Sequence, residues 1–350
     1  MSNPDQQANS ILDRLPAKED QVSNVTTQGP ERSPFLERTK IQFAWDSTSL
    51  GAFKKCPRYY QYKILEGWRK PNDSIHLRWG QELHSALEDY ARSLAVGVRH
   101  DDAVHDTIRA LLERIQDWEP EPQSKSEELK TKANLVCAVV WYLEHYHPDP
   151  AETLILANGK PAVELSFAFE LEWGPGPFNG LFTDANGEPR SQPYLLCGHL
   201  DKVVKFGGDL YVMDHKTAST TPGAYYFNQY DPNNQMSLYT LASQTIMRSP
   251  IRGVIIDVIQ VAVGFSHFTR GFTYRTPDQL EEWLDNTRVW LRDAEGCAEQ
   301  GFWPMNDAAC SHYGGCEFQG ICSKSPGVRE RFLESNFERK EPWNPLVSRG

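Results

Sequence analysis

Apolar residues recur at helical spacing in several stretches of the chain. In the stretch 77–97 they stand three or four positions apart, at Trp79, Leu83, Leu87, Tyr90 and Leu94. Such spacing covers one face of a helix and predicts an amphipathic helix there. The same criterion predicts helices from Ser47 onward and over about 103–118, 125–147, 224–247 and 279–300. Pro232 indicates that the helix over 224–247 starts properly only after Asp231.

Alternation with period two marks the strands. Residues 163–171 alternate strictly between apolar and other side chains, which predicts a strand. Residues 194–206 and 209–217 predict a hairpin, because the two glycines at 207–208 suit the positive φ angles of a tight turn. A largely β-branched apolar run over 253–263 is typical of a buried strand. The predicted order is helix, strand, strand, strand, helix, strand, an α/β arrangement with a helical insertion at about 100–150.

Polarity along the chain predicts its division into segments. Residues 1–40 are polar with scattered prolines and few aromatics, which predicts a disordered leader. Residues 41–325 carry the periodic patterns and are expected to form one domain. Residues 326–350 form a polar, proline-containing tail.

Composition restricts the class of protein. The 350 residues are 39% hydrophobic and 24% charged, which suits one large or two small soluble domains. Because we find neither a run of ~20 apolar residues nor a signal peptide, we expect a cytoplasmic protein without membrane helices. The net charge of −11 argues against a protein that coats nucleic acid over its whole surface. The basic segment 54–70 could provide a local path for nucleic acid or be a solvated helix face.

Charged residues end the two apolar strands of the predicted hairpin. Asp201 follows an apolar stretch on the first strand, whereas Asp214 and Lys216 lie two positions apart on the second and share a face. Charges on apolar strands are costly unless they are paired or coordinated. Two carboxylates beside an ammonium can hold a hard divalent cation and place a nucleophilic water next to it. The alternative is a surface ladder of ion pairs, and the apolar context favours the metal site.

Three further candidates lie on predicted helices. His84 follows Gly80 by one turn, and a glycine there would allow close approach to another backbone. A neutral imidazole can complete a site whose other ligands are carboxylates. Gln235 and Tyr239 lie one turn apart, where they can contact a phosphate or position Lys216. Ordinary packing is the alternative for all three.

Seven cysteines without a secretion signal argue against a disulfide framework. Three of them, Cys310, Cys316 and Cys322, fall in a glycine-containing stretch of thirteen residues, and Cys56 is the candidate for a fourth ligand. Four thiolates suit an iron–sulfur cluster. Zinc is the rival, with His312 as a nitrogen ligand, and unligated buried thiols are the remaining alternative.

Five short motifs, in this order, resemble those of RecB-like nucleases of the PD-(D/E)XK superfamily. They are SLGAFKKCPRYY at 49–60, GQELH at 80–84, GHLD at 198–201, DHK at 214–216 and QMSLY at 235–239. The late cysteines with Cys56 resemble the iron–sulfur staple of AddB and CRISPR-associated RecB-like exonucleases. Both gaps between the late cysteines are five residues, whereas the family more often has a closely spaced pair. The resemblance covers about residues 45–325.

The resemblance implies a restriction-endonuclease-like αβββαβ core. A cysteine-ligated cluster would join an N-terminal segment at about 47–62 to a C-terminal segment at about 303–325. It would be a [4Fe–4S] cluster as first choice, with zinc second, on Cys56, Cys310, Cys316 and Cys322.

The resemblance also implies a DNA nuclease that uses Mg²⁺ or Mn²⁺. The metal ligands would be His84, Asp201, Asp214 and the carbonyl of His215. Lys216 would orient and help to deprotonate the attacking water and stabilise charge on the phosphate. Gln235 and Tyr239 would support Lys216 or the DNA.

Three functions are consistent with these motifs. The first is an exonuclease of recombination, repair or phage DNA processing, in a bacterial or phage-infected cell, that prefers single strands or DNA ends. The chain has no Gly-x-x-x-x-Gly-Lys-(Ser/Thr) phosphate loop, so a helicase would be a separate partner. The second is a noncatalytic DNA-binding or assembly protein, but the presence of all the motif residues argues against it. The third is a CRISPR-adaptation nuclease. Some aromatic residues could stack on unpaired bases or pack in the core: Trp45, Tyr59, Tyr60, Trp68 and Trp79.

Overall fold

The computed structural model describes residues 33–36, 40–71, 74–122, 124–125, 127–171, 173–174, 181–183, 189–191, 193–262, 265–311 and 315–347. The predicted leader lies outside the described residues except for 33–36 and 40, and so does His312. The chain divides into two compact units. The first unit consists of Met1–Asn72, Ser166–Gly198 and Thr276–Arg349, and the second of Asp73–Leu165 and His199–Arg275 together with Gly350.

Helices occupy each of the stretches that predicted them. In chain order the helices are α1 (Ser47–Lys55), α2 (Pro57–Tyr60), α3 (Ile75–Ala95), α4 (His100–Ile115), α5 (Lys132–His145), α6 (Ala224–Asn228), α7 (Asn234–Met247), α8 (Pro277–Gln300), α9 (Gln319–Cys322) and α10 (Arg329–Asn336). The predicted helix over 224–247 is thus two helices. Pro232 lies between them, and the Asn233 side chain caps α7 by accepting from the N–H groups of Gln235 and Met236. No described helix is long and apolar enough to cross a lipid bilayer.

The predicted strands are also present, with additional short ones. In chain order the strands are β1 (Ala44–Trp45), β2 (Trp68–Arg69), β3 (Glu152–Thr153), β4 (Val163–Glu170), β5 (Leu181–Thr183), β6 (Pro189–Ser191), β7 (Leu195–Phe206), β8 (Asp209–Ala218), β9 (Ile251–Ala262), β10 (Phe265–Thr273) and β11 (Glu338–Arg339). Strand β10 was not predicted, because its sequence, FSHFTRGFT, lacks a regular period-two pattern and contains a glycine.

In the second unit, β8 lies between β7 and β9. Strands β7 and β8 are antiparallel, and Gly207 and Gly208 adopt φ angles of 59° and 96° in their turn, which confirms the predicted hairpin. Strands β8 and β9 are parallel, with Lys216 opposite Val258, and β10 pairs antiparallel with β9. A parallel pair needs a crossover connection, which α6 and α7 provide. Pairing of β8 with both neighbours therefore fixes the register of β7, β8 and β9 relative to one another.

Helices α3, α4 and α5 share a buried core with β9 in the second unit. One cluster contains Trp79 and Leu83 of α3, Leu111 of α4, Leu135 of α5 and Ile259 of β9. The apolar stripe that predicted α3 is therefore its buried face. The neighbouring stripe of the same helix remains accessible for polar side chains.

Helix α1 of the first unit starts at a capping box. The Ser49 N–H donates to Asp46 Oδ1 over 2.8 Å, and the Asp46 N–H donates to Ser49 Oγ over 3.1 Å, which starts α1. Strand β1 runs parallel to the first residues of β7, and β2 pairs antiparallel with β11. The tail contributes Leu333 and Phe337 to a buried cluster around Phe318. These tail elements were not predicted, because α10 is short and mostly polar.

Most aromatic residues that were considered for base stacking belong to the core. Trp45, Tyr60 and Trp79 are fully buried, and Trp68 is buried as well. Trp45 stacks on Tyr60 with ring centroids 5.3 Å apart. A ring buried in this way cannot stack on a base, so core packing is the correct interpretation for these four. Tyr59 is half-buried and packs edge-on against Phe318.

The basic segment 54–70 is engaged within the first unit. The Arg58 Nε donates to the Trp303 carbonyl over 2.8 Å, and Lys63 pairs with Glu317 at 2.8 Å. Lys55 lies over the Tyr59 ring, 4.9 Å from its centroid. Arg58 and Lys63 thus tie the N-terminal helices to the segment around residues 303–317, and so they contribute to the fold of this unit.

Candidate active site

Two strands and one helix of the second unit meet at Asp201. The backbone N–H of His215, on β8, donates to Asp201 Oδ2 over 3.0 Å. His84 Nδ1, on α3, lies 3.2 Å from the same oxygen. The predicted candidates on β7, β8 and α3 are therefore brought together by the hairpin register and by the packing of α3.

His84 reaches this position from the stripe next to the buried face of α3. Its side chain is 31% exposed, so one side of the ring stays open. The expectation that Gly80 allows close approach to another backbone is wrong. A Cβ built at Gly80 would meet no atom of the described structure within 4 Å. The orientation of α3, set by its apolar face, places His84 instead.

The environment of Asp201 favours its charged form. Burial raises the pKa of this carboxyl, but His84, the His215 N–H and the His215 ring together outweigh burial and hold the pKa well below its usual range. The same contact raises the pKa of His84, because the Asp201 carboxylate outweighs the burial that lowers it. The pair therefore favours an imidazolium beside a carboxylate when no other cation is present.

Asp214 and Lys216 form a second pair on β8. The Asp214 side chain is 1% exposed, and its Oδ2 lies 2.7 Å from Lys216 Nζ. This buried oxygen is therefore closely paired with the lysine ammonium. Burial raises the pKa of Asp214 against the opposing effect of Lys216. The Asp214 and Asp201 carboxylates outweigh burial at Lys216 and raise its pKa, which keeps the ammonium charged.

A relay of hydrogen bonds holds Lys216 from the other side. Lys216 Nζ donates to Gln235 Oε1 over 3.2 Å, and Gln235 Nε2 donates to Tyr239 Oη over 2.9 Å. Gln235 and Tyr239 lie one turn apart on α7, so the helix presents both to the same point. The hydrogen bond to Tyr239 fixes which end of the Gln235 amide faces the lysine. The structure thus connects all three predicted residues.

The His215 ring lies between two carboxylates. Its Nδ1 is 3.7 Å from Asp201 Oδ2, and its Nε2 is 3.8 Å from Asp257 Oδ2. Tyr142 Oη donates to Asp257 Oδ2 over 2.5 Å, and Arg270 Nε donates to the same oxygen over 3.2 Å. The sequence predicts a role only for the carbonyl of His215. It carries no signature of this network, because the members lie on α5, β9 and β10 as single polar residues far apart in the chain.

One pocket of the second unit is lined by the site residues His84, Asp201 and His215 together with Glu88 and Glu164. Neither glutamate was predicted as a site residue. Glu88 follows His84 by one turn on α3, a spacing that could have indicated it. Glu164 adopts a φ of 49° on β4, which is uncommon for a residue with a side chain and has no signature in the sequence.

The sequence profile of the PD-(D/E)XK nuclease superfamily matches residues 45–323, which is most of the chain. The chain belongs to the PD-(D/E)XK nuclease superfamily. The matched region contains every predicted site residue of this PD-(D/E)XK protein, from Cys56 to Cys322. The mixed α/β arrangement around β7, β8 and β9 is consistent with the fold of that superfamily.

Among solved structures, this PD-(D/E)XK protein is similar to one from Eubacterium rectale, described as a "Putative exonuclease". The two chains are 11% identical with a TM-score of 0.44. The similarity covers 86% of this chain and 91% of the other. No curated protein matches the chain.

The motif residues of this PD-(D/E)XK protein have the donor chemistry of a site for a hard divalent cation. Carboxylate oxygens are the ligands that Mg²⁺ and Mn²⁺ prefer, and the buried Asp214 Oδ2 has the Lys216 ammonium as its close partner. Within the described ranges, however, no three His, Cys, Asp or Glu side chains converge closely enough to hold a metal ion. The types of ligand atom are those that such a cation prefers. In the structure, however, Asp201 is paired with His84, and Asp214 is paired with Lys216.

The four predicted cysteines of the PD-(D/E)XK protein lie in the first unit, where Cys56, Cys310, Cys316 and Cys322 line one small pocket. As placed in the described residues, no three of these thiols lie close enough together to hold a metal ion. The Cys316 N–H donates to the Cys310 carbonyl over 2.9 Å, and the Asn306 N–H donates to Cys56 Sγ over 3.3 Å.

The surroundings of these thiols are partly apolar and partly cationic. Burial raises the pKa values of Cys316 and Cys322, whereas Lys55 acts to lower the first and Arg58 the second. Thiolates are the ligands that iron–sulfur clusters and zinc require, and nearby cations favour the thiolate form. His312, the nitrogen ligand of the zinc alternative, lies outside the described residues.

Proposed function

We propose that the protein is a metal-dependent deoxyribonuclease, and an exonuclease rather than an endonuclease. The observation that carries the proposal is one connected set of contacts in the second unit. It joins His84, Asp201, Asp214, Lys216, Gln235 and Tyr239 through the hairpin of β7 and β8. Membership of the nuclease superfamily gives this set its chemical interpretation.

The metal would be Mg²⁺ or Mn²⁺. The residues that would hold it are His84, Asp201, Asp214 and the carbonyl of His215. Bound there, the cation would act as a Lewis acid and generate a hydroxide nucleophile. The carboxylates of Asp201 and Asp214 would exchange their present contacts with His84 and Lys216 for the cation.

Lys216 acts through its charge and its hydrogen-bond donors. The Asp214 and Asp201 carboxylates raise its pKa and so favour the ammonium form. A charged ammonium can orient the attacking water, help to deprotonate it by electrostatic stabilisation of the hydroxide, and stabilise negative charge on a phosphoryl oxygen. Gln235, itself held by Tyr239, keeps Nζ in one position.

The preference for ends and the biological role rest on the resemblance of the motifs to RecB-like exonucleases. We propose single-stranded DNA or DNA ends as substrate, in recombination, repair or phage DNA processing. On the same resemblance we propose a helicase or a recombination protein as partner.

We also propose a [4Fe–4S] cluster on the four cysteines, with zinc as the alternative metal. The support is that thiols from positions 56 and 310–322 line one pocket of the first unit. A metal core that joined Cys56 to Cys310 would close a very long loop of chain and stabilise the unit.

Cleavage of end-labelled single- and double-stranded DNA with Mg²⁺ or Mn²⁺ tests the nuclease proposal. The wild type is compared with Lys216→Ala and with Lys205→Ala, an exposed lysine of the same hairpin. We expect metal-dependent cleavage that Lys216→Ala reduces by on the order of 100-fold and that Lys205→Ala leaves unchanged. Closed circular duplex should resist cleavage, and its cleavage at the rate of linear strands would contradict the exonuclease mode. Tight DNA binding without cleavage by any variant would favour the noncatalytic DNA-binding protein instead.

A further inference from the structure

A short aromatic helix follows the strand that carries Asp214 and Lys216. Helix α6 contains Tyr225, Tyr226 and Phe227 in succession, and it begins eight positions after Lys216. The three rings have different environments. Tyr226 and Phe227 are half-buried, whereas Tyr225 is 91% exposed.

Phe227 anchors this helix to the sheet. A Cβ built at Gly271 would lie only 2.1 Å from Cδ1 of Phe227, so the ring rests directly on the backbone of β10. An alanine at position 271 could not be accommodated without moving the ring. The glycine in β10 therefore receives the aromatic side chain that holds α6 in place.

Strand register places α6 on the face of the sheet that carries Asp214. Gly271 of β10 lies opposite Ile256 of β9, and Ile256 lies opposite Asp214 of β8. Residues directly opposite each other on neighbouring strands share a face, so Phe227, which packs on Gly271, lies on the face of the Asp214 side chain. Within the same segment, Tyr230 Oη donates to Tyr226 Oη over 3.3 Å. Helix α6 therefore stands two strands away from Asp214, on the side of the sheet that holds the site.

Tyr225 points into solvent from this helix, which is held in place by the contact of Phe227 with Gly271 and by the hydrogen bond between Tyr230 and Tyr226. An aromatic ring that remains in water forgoes the stabilisation that burial would supply. Four of the five aromatic residues considered for stacking from the sequence are buried, whereas Tyr225 presents its ring to solvent. A nucleobase next to a scissile phosphate offers a flat apolar face of matching size.

We propose that Tyr225 stacks on an unpaired nucleobase of the strand whose phosphate is bound beside Lys216. This inference rests on the proposed nuclease function and identifies part of the substrate. A base offers its face to a side chain only where it is not stacked on its neighbour, as in a single strand or a frayed end. The ring would therefore select unpaired strands without selecting their sequence.

The test combines protein variants with abasic substrates. KM and kcat are measured on labelled single-stranded oligonucleotides, intact or carrying one abasic nucleotide at each position in turn. The wild type is compared with Tyr225→Ala, Tyr225→Phe and the control Tyr274→Ala, another exposed tyrosine of the second unit. We expect Tyr225→Ala to raise KM about tenfold while Tyr225→Phe keeps the wild-type value, since stacking needs the ring and not the hydroxyl.

The abasic scan identifies the contact. At one position the abasic nucleotide should raise the KM of the wild type, of Tyr225→Phe and of Tyr274→Ala, yet leave that of Tyr225→Ala unchanged, because the stacking partner is already missing. The inference would be overturned if Tyr225→Ala kept the KM of the wild type. It would also be overturned if the effects of the substitution and of the abasic nucleotide on KM were additive at every position. Neither result would contradict the nuclease proposal.

Direct binding separates the two proposals. Fluorescence anisotropy measures the affinity of the same variants for the intact and abasic oligonucleotides. If the wild type binds without cleaving and its affinity depends on Tyr225 as described, the nuclease proposal fails and the stacking inference stands. If affinity is independent of Tyr225, the stacking inference fails.

Discussion

His215 donates its backbone N–H to Asp201 Oδ2 over 3.0 Å, across the two strands of one hairpin. His84 Nδ1 approaches the same oxygen to 3.2 Å from helix α3. A single carboxylate oxygen is thus where three motifs of the sequence meet. Burying a charged carboxylate is costly unless it is paired, and both contacts offset that cost.

Replacing Asp201 by asparagine should remove the charge while keeping an oxygen that accepts from His215. We expect the metal-dependent cleavage rate to fall by on the order of 100-fold or more, with weaker Mn²⁺ binding measured by calorimetry. Asp209→Asn, at the exposed end of the same hairpin, is the matched control and should behave like the wild type. Full activity of Asp201→Asn would exclude Asp201 as a metal ligand.

Tyr239→Phe should release the Gln235 amide without changing the shape of the ring. Gln235 then loses the bond that fixes its orientation, and Lys216 becomes less well positioned. We expect kcat to fall by about tenfold or less, in line with one neutral hydrogen bond, while KM changes little. Tyr211→Phe, on β8 in a separate cluster, serves as the control. A change confined to KM would contradict a role in positioning the lysine.

The two motif glycines should respond oppositely to alanine. A Cβ at Gly198 would lie 2.9 Å from the Phe167 ring, so Gly198→Ala should destabilise the protein by about 1–3 kcal/mol. Gly80 lies inside α3 with no described atom within 4 Å of an added Cβ, so Gly80→Ala should stabilise it by about 0.5–1 kcal/mol. Chemical denaturation measures both free energies of unfolding. Equal effects would contradict the different environments of the two glycines.

Cys316→Ser should lose the cofactor if the four thiols share one metal core. We expect loss of the visible absorption of an iron–sulfur cluster, lower iron content and reduced stability. Cys297→Ser, in α8 of the same unit and outside the cysteine pocket, should keep all three properties. Zinc without iron in the purified wild type would support the alternative metal. Unchanged metal content in Cys316→Ser would refute the assignment of this cysteine.

Asp149 should contribute to stability in a pH-dependent way. Its carboxylate accepts two hydrogen bonds from Arg270, each 2.7 Å long. Burial raises the pKa of Asp149, but these bonds outweigh burial and lower it. A lowered folded-state pKa stabilises the protein above the unfolded value of about 4, and this stabilisation is lost as pH falls through the folded-state pKa.

Asp149→Asn should accordingly lower the free energy of unfolding at pH 7 by about 2 kcal/mol. The difference from the wild type should shrink in acid, as measured by urea denaturation at several pH values. Asp101→Asn breaks an exposed ion pair with Arg99 and should change little at any pH. A difference that stays constant down to pH values below 3 would show that the carboxylate charge is not responsible.

Local patterns predicted much of the fold because they report local physics. The stripe of α3 and the double-glycine turn of the β7–β8 hairpin each depend on neighbouring residues, and both elements are present as predicted. Strand β10 and helix α10 escaped prediction because their sequences lack a clear period. Pro232 was interpreted correctly as a break, but the short aromatic helix before it was not separated from α7.

The ordered motifs of the sequence predict that Asp201, Asp214, Lys216 and the four cysteines carry the chemistry, and they resemble the superfamily whose profile matches the chain. How these groups are paired is visible only in the tertiary structure. It placed the His215 ring between Asp201 and Asp257, buried Trp45 and Trp79, and left Tyr225 exposed. Burial and ion pairing depend on contacts between segments far apart in the chain. Such contacts leave no periodic signature in the sequence.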